Sequence, residues 1–379
     1  MLNLTEEPLH QQLDILWEPA EDGARILRVY GEQPALRLPE YIGQRPVTEI
    51  GPYCFSRSEP KLPEQYFHFY TDESRTERPV PQTENGRISA AESDPGVAHR
   101  RLSYLGGSTL TSVWLPTTVH TLHNAAFYNC RELHTLSAGA GIRSIGSDEF
   151  MNCTRLSRLI MRCADTEAEG LPLLLERYAE DLLVLFMPEL PASDCPAFGS
   201  SSADASKSSS ENAIQGALFF PEYYEWLDEI SPAHIFSRSI HGEGFRMRKC
   251  FENGRINYEK YDQCFENALK VESANTLCRI SIARLRWPAG LKEEARTLYE
   301  HALKENLRTA ITLAVRDRDL ALLLFLCRYF SAGDYGEAIA SCVDADWGEG
   351  SARLMEEQHR NGSFSRKSFS FDDFSLDDL

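Results

Sequence analysis

The sequence predicts an α+β chain: a short β-solenoid, then an all-α domain of α-hairpin repeat-like helices, then a disordered acidic tail. Three observations predict it. Residues 110–162 repeat themselves at a step of 23. Beyond residue 213 the apolar residues fall at steps of three and four, the helical period. The last segment, 361–379, mixes Phe and Leu with Ser and Asp. A short fixed repeat implies stacked units, because each can bury its apolar side only against a neighbour.

The elements follow in order. Leu13-Asp14-Ile15-Leu16-Trp17 and Ala24-Arg25-Ile26-Leu27-Arg28-Val29-Tyr30 read as strands joined at the turn former Asp22-Gly23, a hairpin that caps the solenoid. Leu36-Arg37-Leu38-Pro39 matches Val113-Trp114-Leu115-Pro116, and Val47, Ile50 and Phe55 keep the spacing of Val119, Leu122 and Phe127. This first repeat carries five extra residues between Pro39 and Val47, and an insertion near 58–105 separates it from the rest. Val119, Leu122, Phe127, Asn129, Cys130 and Leu133 return as Ile142, Ile145, Phe150, Asn152, Cys153 and Leu156. Leu171 to Tyr178 reads as a helix and Leu182 to Pro188 as a closing strand, so residues 1–190 form the first domain. The Ser-rich tract 191–213 is a flexible linker. Helices are expected at Tyr258 to Val271, Ala274 to Leu285, Leu291 to Leu303, Ala310 to Val315 and Leu320 to Tyr329, within a domain at 214–360. Ala310, Ile311, Ala314 and Val315 recur 28 residues later as Ala338, Ile339, Cys342 and Val343, which suits α-hairpin repeats or, alternatively, one irregular bundle.

Composition narrows the function. A formal charge of -18 repels phosphate and anionic lipid, so neither nucleic acid nor membrane is expected as a partner. No run approaches the ~20 apolar residues of a membrane span. The N-terminus has no basic lead and no apolar core of a signal peptide, so the chain is expected in the cytoplasm. Ten cysteines without a CxxC pair read as reduced core thiols.

The unit from Leu110 to Cys130, with its Leu-Pro step at Leu115-Pro116, Val119-x-x-Leu122, Ala126-Phe127 and Asn129-Cys130, resembles the BspA-type leucine-rich repeat over roughly residues 30–165. The resemblance implies a curved solenoid of parallel strands, a leucine-rich-repeat fold common in bacteria. Many proteins of the family are described as surface adhesins or partner-binding proteins.

On that geometry Ser112, Trp114, Thr135, Ser137, Arg158 and Ile160 point outward from stacked strands. A Trp beside Ile and Arg makes a candidate partner-binding cluster. The alternative is that Trp114 packs beneath the insertion or against the helical half. His120, His123, Cys130 and His134 have metal-like spacing, but the repeat turns Cys130 inward and the histidines elsewhere, so no metal is expected. The block from Phe219 to Phe251 mixes aromatic and titratable residues. It reads as a seam between the two halves or, alternatively, as a pocket in which Cys250 pairs with His234 or His241. In the tail, Phe371, Phe374, Leu376 and Leu379 flank two Asp pairs, the pattern of a peptide captured in a partner's groove; the alternative is an inert solubilising tail. The sequence therefore predicts a non-catalytic, cytoplasmic protein–protein interaction scaffold or adaptor with no cofactor. An enzyme or ligand sensor and an exported adhesin are the alternatives.

Overall fold

A computed structural model describes residues 11–58, 62–71, 102–188, 214–230 and 235–362, the side chains at 229–230, 235–236 and 361–362 excepted. β1 (Asp14–Pro19) and β2 (Ala24–Gly31) form the expected antiparallel cap, Pro19 opposite Ala24 across the Asp22-Gly23 turn. β3 (Ala35–Arg37) follows, and then β4 (Tyr41–Ile42) and β5 (Arg45–Ile50) fold on each other, Ile42 opposite Arg45. Gly43 makes that two-residue turn at φ 59°, where a side chain would be strained. The five extra residues of the first repeat are thus absorbed in a tight hairpin.

β6 (Phe67–Tyr70) and β7 (Ser103–Tyr104) lie in the insertion. β8 (Ser112–Trp114), β9 (Thr121–Leu122), β10 (Thr135–Ala138), β11 (Ser144–Ile145) and β12 (Arg158–Met161) then keep the 23-residue step. After α1 (Leu171–Glu176) come β13 (Leu182–Phe186) and β14 (Gly216–Phe220). One sheet runs β14-β13-β12-β10-β8-β3, parallel throughout except for β14. The second runs β11-β9-β5-β2-β1-β6.

In the first sheet Leu36, Val113, Leu136, Leu159, Val184 and Leu218 stand side by side, all buried. The repeat is thereby explained: residues 23 apart become lateral neighbours, one strand spacing away. Phe55, Phe127 and Phe150 stack with centroids 5.0 and 5.8 Å apart, and Tyr178 closes the ladder edge-on at 6.2 Å. The conserved spacing of Cys has the same origin. Cys130 Sγ donates to Phe55 O at 3.2 Å and Cys153 Sγ to Phe127 O at 3.0 Å, so each thiol ties one rung to the last. Asn129 and Asn152 sit at φ 62° and 63°, a conformation Asn tolerates better than most residues, and Asn152 Nδ2 donates to Asn129 Oδ1 at 2.8 Å.

Two expectations need correction. The insertion is not loop alone: β6 pairs with β1, Trp17 opposite Phe67, and β7 with β2. The aromatic run Phe67-His68-Phe69-Tyr70 has the strand propensity to do this, and it covers an otherwise open edge. Residues 59–61 and 72–101 lie outside the described residues, as does the Ser-rich tract from 189 to 213. Nor is the chain helical from residue 214. β14, β15 (Tyr224–Ile230), β16 (Ile235–His241), β17 (Phe251–Glu252) and β18 (Arg255–Ile256) are strands, and β14 adds a sixth strand to the first sheet, beyond the expected linker.

The helices are α2 (Gly244–Met247), α3 (Tyr258–Gln263), α4 (Phe265–Val271), α5 (Ala274–Arg286), α6 (Glu293–Glu305), α7 (Leu307–Arg316), α8 (Leu320–Leu326), α9 (Ala332–Asp344) and α10 (Gly348–Gly362). Two compact units result. One contains the described parts of Leu4–Glu272 with Ile280–Tyr299, the other Ser273–Arg279 and the described part of Glu300–Leu379. Within the first, Arg284 is fully buried and donates to both Asp262 oxygens at 2.8 and 3.0 Å, while Tyr299 Oη adds a bond at 2.8 Å. The pairing satisfies charges that would otherwise be costly to bury. Within the second, α7 packs on α8 and α9 on α10. The 28-residue step is real there: Arg318 and Asp346 take φ 48° and 50°, and the following N–H groups of Asp319 and Trp347 each bond back at 2.9 Å, to Ala314 O and Cys342 O. Two similar α-hairpins are therefore present in succession.

Candidate binding surfaces

The sequence placed six solenoid residues together, and together they are. Across the first sheet Ser112, Thr135 and Arg158 share one row, and Trp114, Ser137 and Ile160 the next. Their exposure is another matter. Trp114, Thr135, Ser137 and Ile160 are buried; Ser112 and Arg158 are half-buried. The reason is the apolar character of the same face beyond the repeat, where Leu185 and Phe219 are also buried. A face with so much apolar area is closed rather than left in water. The expected open cluster around Trp114 is therefore core. The four tail residues Phe371, Phe374, Leu376 and Leu379 lie outside the described residues.

The histidines find carboxylates instead of metal. His120 Nε2 meets Asp22 Oδ2 and His123 Nε2 meets Glu49 Oε2, both at 2.7 Å, and His68 Nδ1 meets Asp14 Oδ1 at 2.8 Å. Burial raises the Glu49 carboxyl, but bonds from His123 and from Arg25 Nε, at 2.6 Å, outweigh it and hold it below the ordinary range. The bond to His120 holds Asp22 low as well. These pairs link neighbouring turns and the cap. Among the described residues no group of three or more His, Cys, Asp or Glu is placed to hold a metal ion.

Cys250 does not resemble a nucleophile. It is buried, and burial pushes its thiol up to about 12, whereas a reactive Cys needs an electropositive, accessible setting. His241 is stacked on the exposed Tyr224 ring at 4.9 Å, and His234 lies outside the described residues. The block from Phe219 to Phe251 is accordingly split. Phe219 and Phe220 are buried in β14, while β15 and β16 form a separate two-stranded sheet with Tyr224, Trp226 and Leu227 more than half exposed.

One titratable residue was missed. Glu149 occupies the register position of Ala126, 23 residues earlier, yet it is 1 % exposed. Its Oε2 accepts from Ala126 N–H at 3.2 Å, and its Oε1 has no partner among the described residues. Burial pushes this carboxyl up to about 8, against the opposing Ala126 bond. A groove of about 410 Å³ lies alongside, between turn 148–154 and residues 176–180, where the repeated turns end. The signal was legible: an acid stands in an otherwise apolar register.

Among the described residues no helix is long and apolar enough to cross a membrane. No curated protein and no solved structure matches the chain. A family model described as "BspA type Leucine rich repeat region (6 copies)" matches residues 103–168, the span that holds β7 to β12. Repeats of this kind generally mediate protein–protein interaction, and the family is typically non-enzymatic. Parallel strands in register, the Phe ladder and the Asn-Cys turns together account for that match, and residues 103–168 are a BspA-type leucine-rich-repeat region.

Proposed function

We propose that the chain is a non-catalytic protein–protein interaction scaffold or adaptor that acts in the cytoplasm. The observation that carries this reading is the in-register stack of BspA-type rungs, an architecture whose recurrent use is protein binding. The cytoplasmic placement draws support from the nine described cysteines, all free thiols, two of which serve as hydrogen-bond donors between rungs. The acidic C-terminal peptide, with Phe371, Phe374, Leu376 and Leu379, recruits a protein by laying one apolar face in a groove.

Affinity capture from native cytoplasm tests this, comparing the full chain with a variant ending at Gly362. A protein retained by the full chain and lost with the tail is expected. Capture of nothing by either form, with thermal stabilisation by a metabolite instead, would replace the scaffold by a ligand sensor. Detection of the intact chain on the cell surface would replace the cytoplasmic placement.

A further inference from the structure

Among the described residues the β15–β16 hairpin is a sheet of two strands only. Its two strands pair only with each other, and both outer edges are open among the described residues. Alternation along β15 gives it two distinct faces. Tyr224, Trp226 and Asp228 point one way; Glu225 and Leu227 point the other. Tyr224, Trp226 and Leu227 are 58, 56 and 63 % exposed, an unusual load of apolar area for two strands in water. The Trp226 indole N–H donates to Asp228, which holds the ring beside a carboxylate.

Acids outnumber bases here: Glu222, Glu225 and Asp228 stand against Arg238 on the strands and Arg248 at the base, whose guanidinium lies over the Tyr223 ring and donates to the Pro221 carbonyl. Glu222 stands at the base of the hairpin, where burial and its neighbours Asp181, Glu180 and Glu272 push its carboxyl up. The nearest base on the strands, Arg238, is already paired with Glu225. A second copy of the chain would bring acid against acid at β15, and the tail's Asp372, Asp373, Asp377 and Asp378 would meet the same repulsion.

We infer that the outer edge of β15 is a docking site for an extended basic segment of a partner protein, which adds as a third strand. Lys or Arg at alternate positions lie over Tyr224 and Trp226 and against Asp228, and apolar residues between them cover Leu227. This rests on the scaffold reading and names the chemistry of one partner.

The chain supplies its own probe. Of its five tryptophans, Trp17, Trp114, Trp287 and Trp347 are buried, so acrylamide quenching reports chiefly on Trp226. The peptides acetyl-(Lys-Val)4-amide and acetyl-(Glu-Val)4-amide are titrated into the full chain at low and high salt. The Lys peptide is expected to shield Trp226, about tenfold more weakly at high salt, and the Glu peptide to have no effect. Asp228→Lys and Leu227→Lys, each checked for folding by circular dichroism, are expected to weaken binding by at least about tenfold. Shielding by neither peptide or by both equally, or shielding unchanged in Asp228→Lys, would overturn the site. So would self-association abolished by Leu227→Lys, which would make a second copy the occupant. A protein captured equally by the Asp228→Lys chain would leave the scaffold standing without this edge, whereas Lys-peptide binding with no captured protein would leave the edge without the scaffold.

Discussion

Two tryptophans on two strands teach the main lesson of this molecule. Trp114 belongs to β8, inside a six-stranded sheet, and is 9 % exposed; Trp226 belongs to β15, in a sheet of two, and is 56 % exposed. Period-two alternation assigns each to a face of its sheet. It does not say whether a second layer covers that face. Around Trp114 the sheet brings Ile160, Leu185 and Phe219 to the same side, enough apolar area to be closed over. The hairpin has two strands and charges on both faces, so its tryptophan stays in water.

The largest expected effect tests this contrast directly. Trp114→Ala should cost about 3–5 kcal/mol of stability, the usual result of emptying a large buried aromatic site. Trp226→Ala should stay within about 0.5 kcal/mol. Urea unfolding followed by circular dichroism measures both. Similar losses would mean that the two faces are equally covered.

Two glutamates sharpen it next. Glu49 is held low by His123 and Arg25, whereas Glu149, inside the same solenoid, is pushed up to about 8 by burial. An unfolded Glu titrates near 4.3. Between about pH 4 and 8 the folded chain keeps the Glu149 proton that the unfolded chain has lost, so this contribution to stability falls as pH rises and levels off above the folded value. The loss is on the order of 5 kcal/mol over that window. For Glu49 and Asp22 the sign reverses: their contribution is present above the unfolded carboxylate range and lost on acidification. Melting temperatures from pH 3 to 9 should show a flatter alkaline limb in Glu149→Gln and an unchanged acid limb. An unaltered alkaline limb would mean that Glu149 is ionised in the folded chain.

Much of this was legible because side-by-side stacking turns a linear period into lateral contact. The step of 23 located the rungs, and the step of 28 aligned Ala310, Ile311, Ala314 and Val315 with Ala338, Ile339, Cys342 and Val343, the helices that precede the matched turns at Arg318 and Asp346. Even the early repeat at Leu36 and Phe55 could be aligned, since its extra residues are confined to one hairpin. What escaped depends on partners remote in sequence. Phe67 to Tyr70 became a strand because β1 offered a free edge, and Gly216 to Phe220 because β13 did. The burial of the Trp114 row likewise depends on what closes its face. No local pattern encodes that.

The smallest expected effect isolates burial from size. Ser137 and Ser239 both lie on strands beside a tryptophan, Ser137 opposite Trp114 and Ser239 opposite Trp226. Ser137 is fully buried and its hydroxyl has no partner among the described residues, whereas Ser239 meets His241 at 3.2 Å on the open hairpin. Removing a buried, unpaired hydroxyl relieves its desolvation cost, so Ser137→Ala should stabilise the chain by about 1 kcal/mol. Ser239→Ala exchanges a bond that water can replace and should stay within about 0.5 kcal/mol. Both substitutions delete the same atom, so any difference in urea midpoint reports the environment alone. A destabilised Ser137→Ala would mean that the hydroxyl is hydrogen-bonded after all, and that the face around Trp114 admits water.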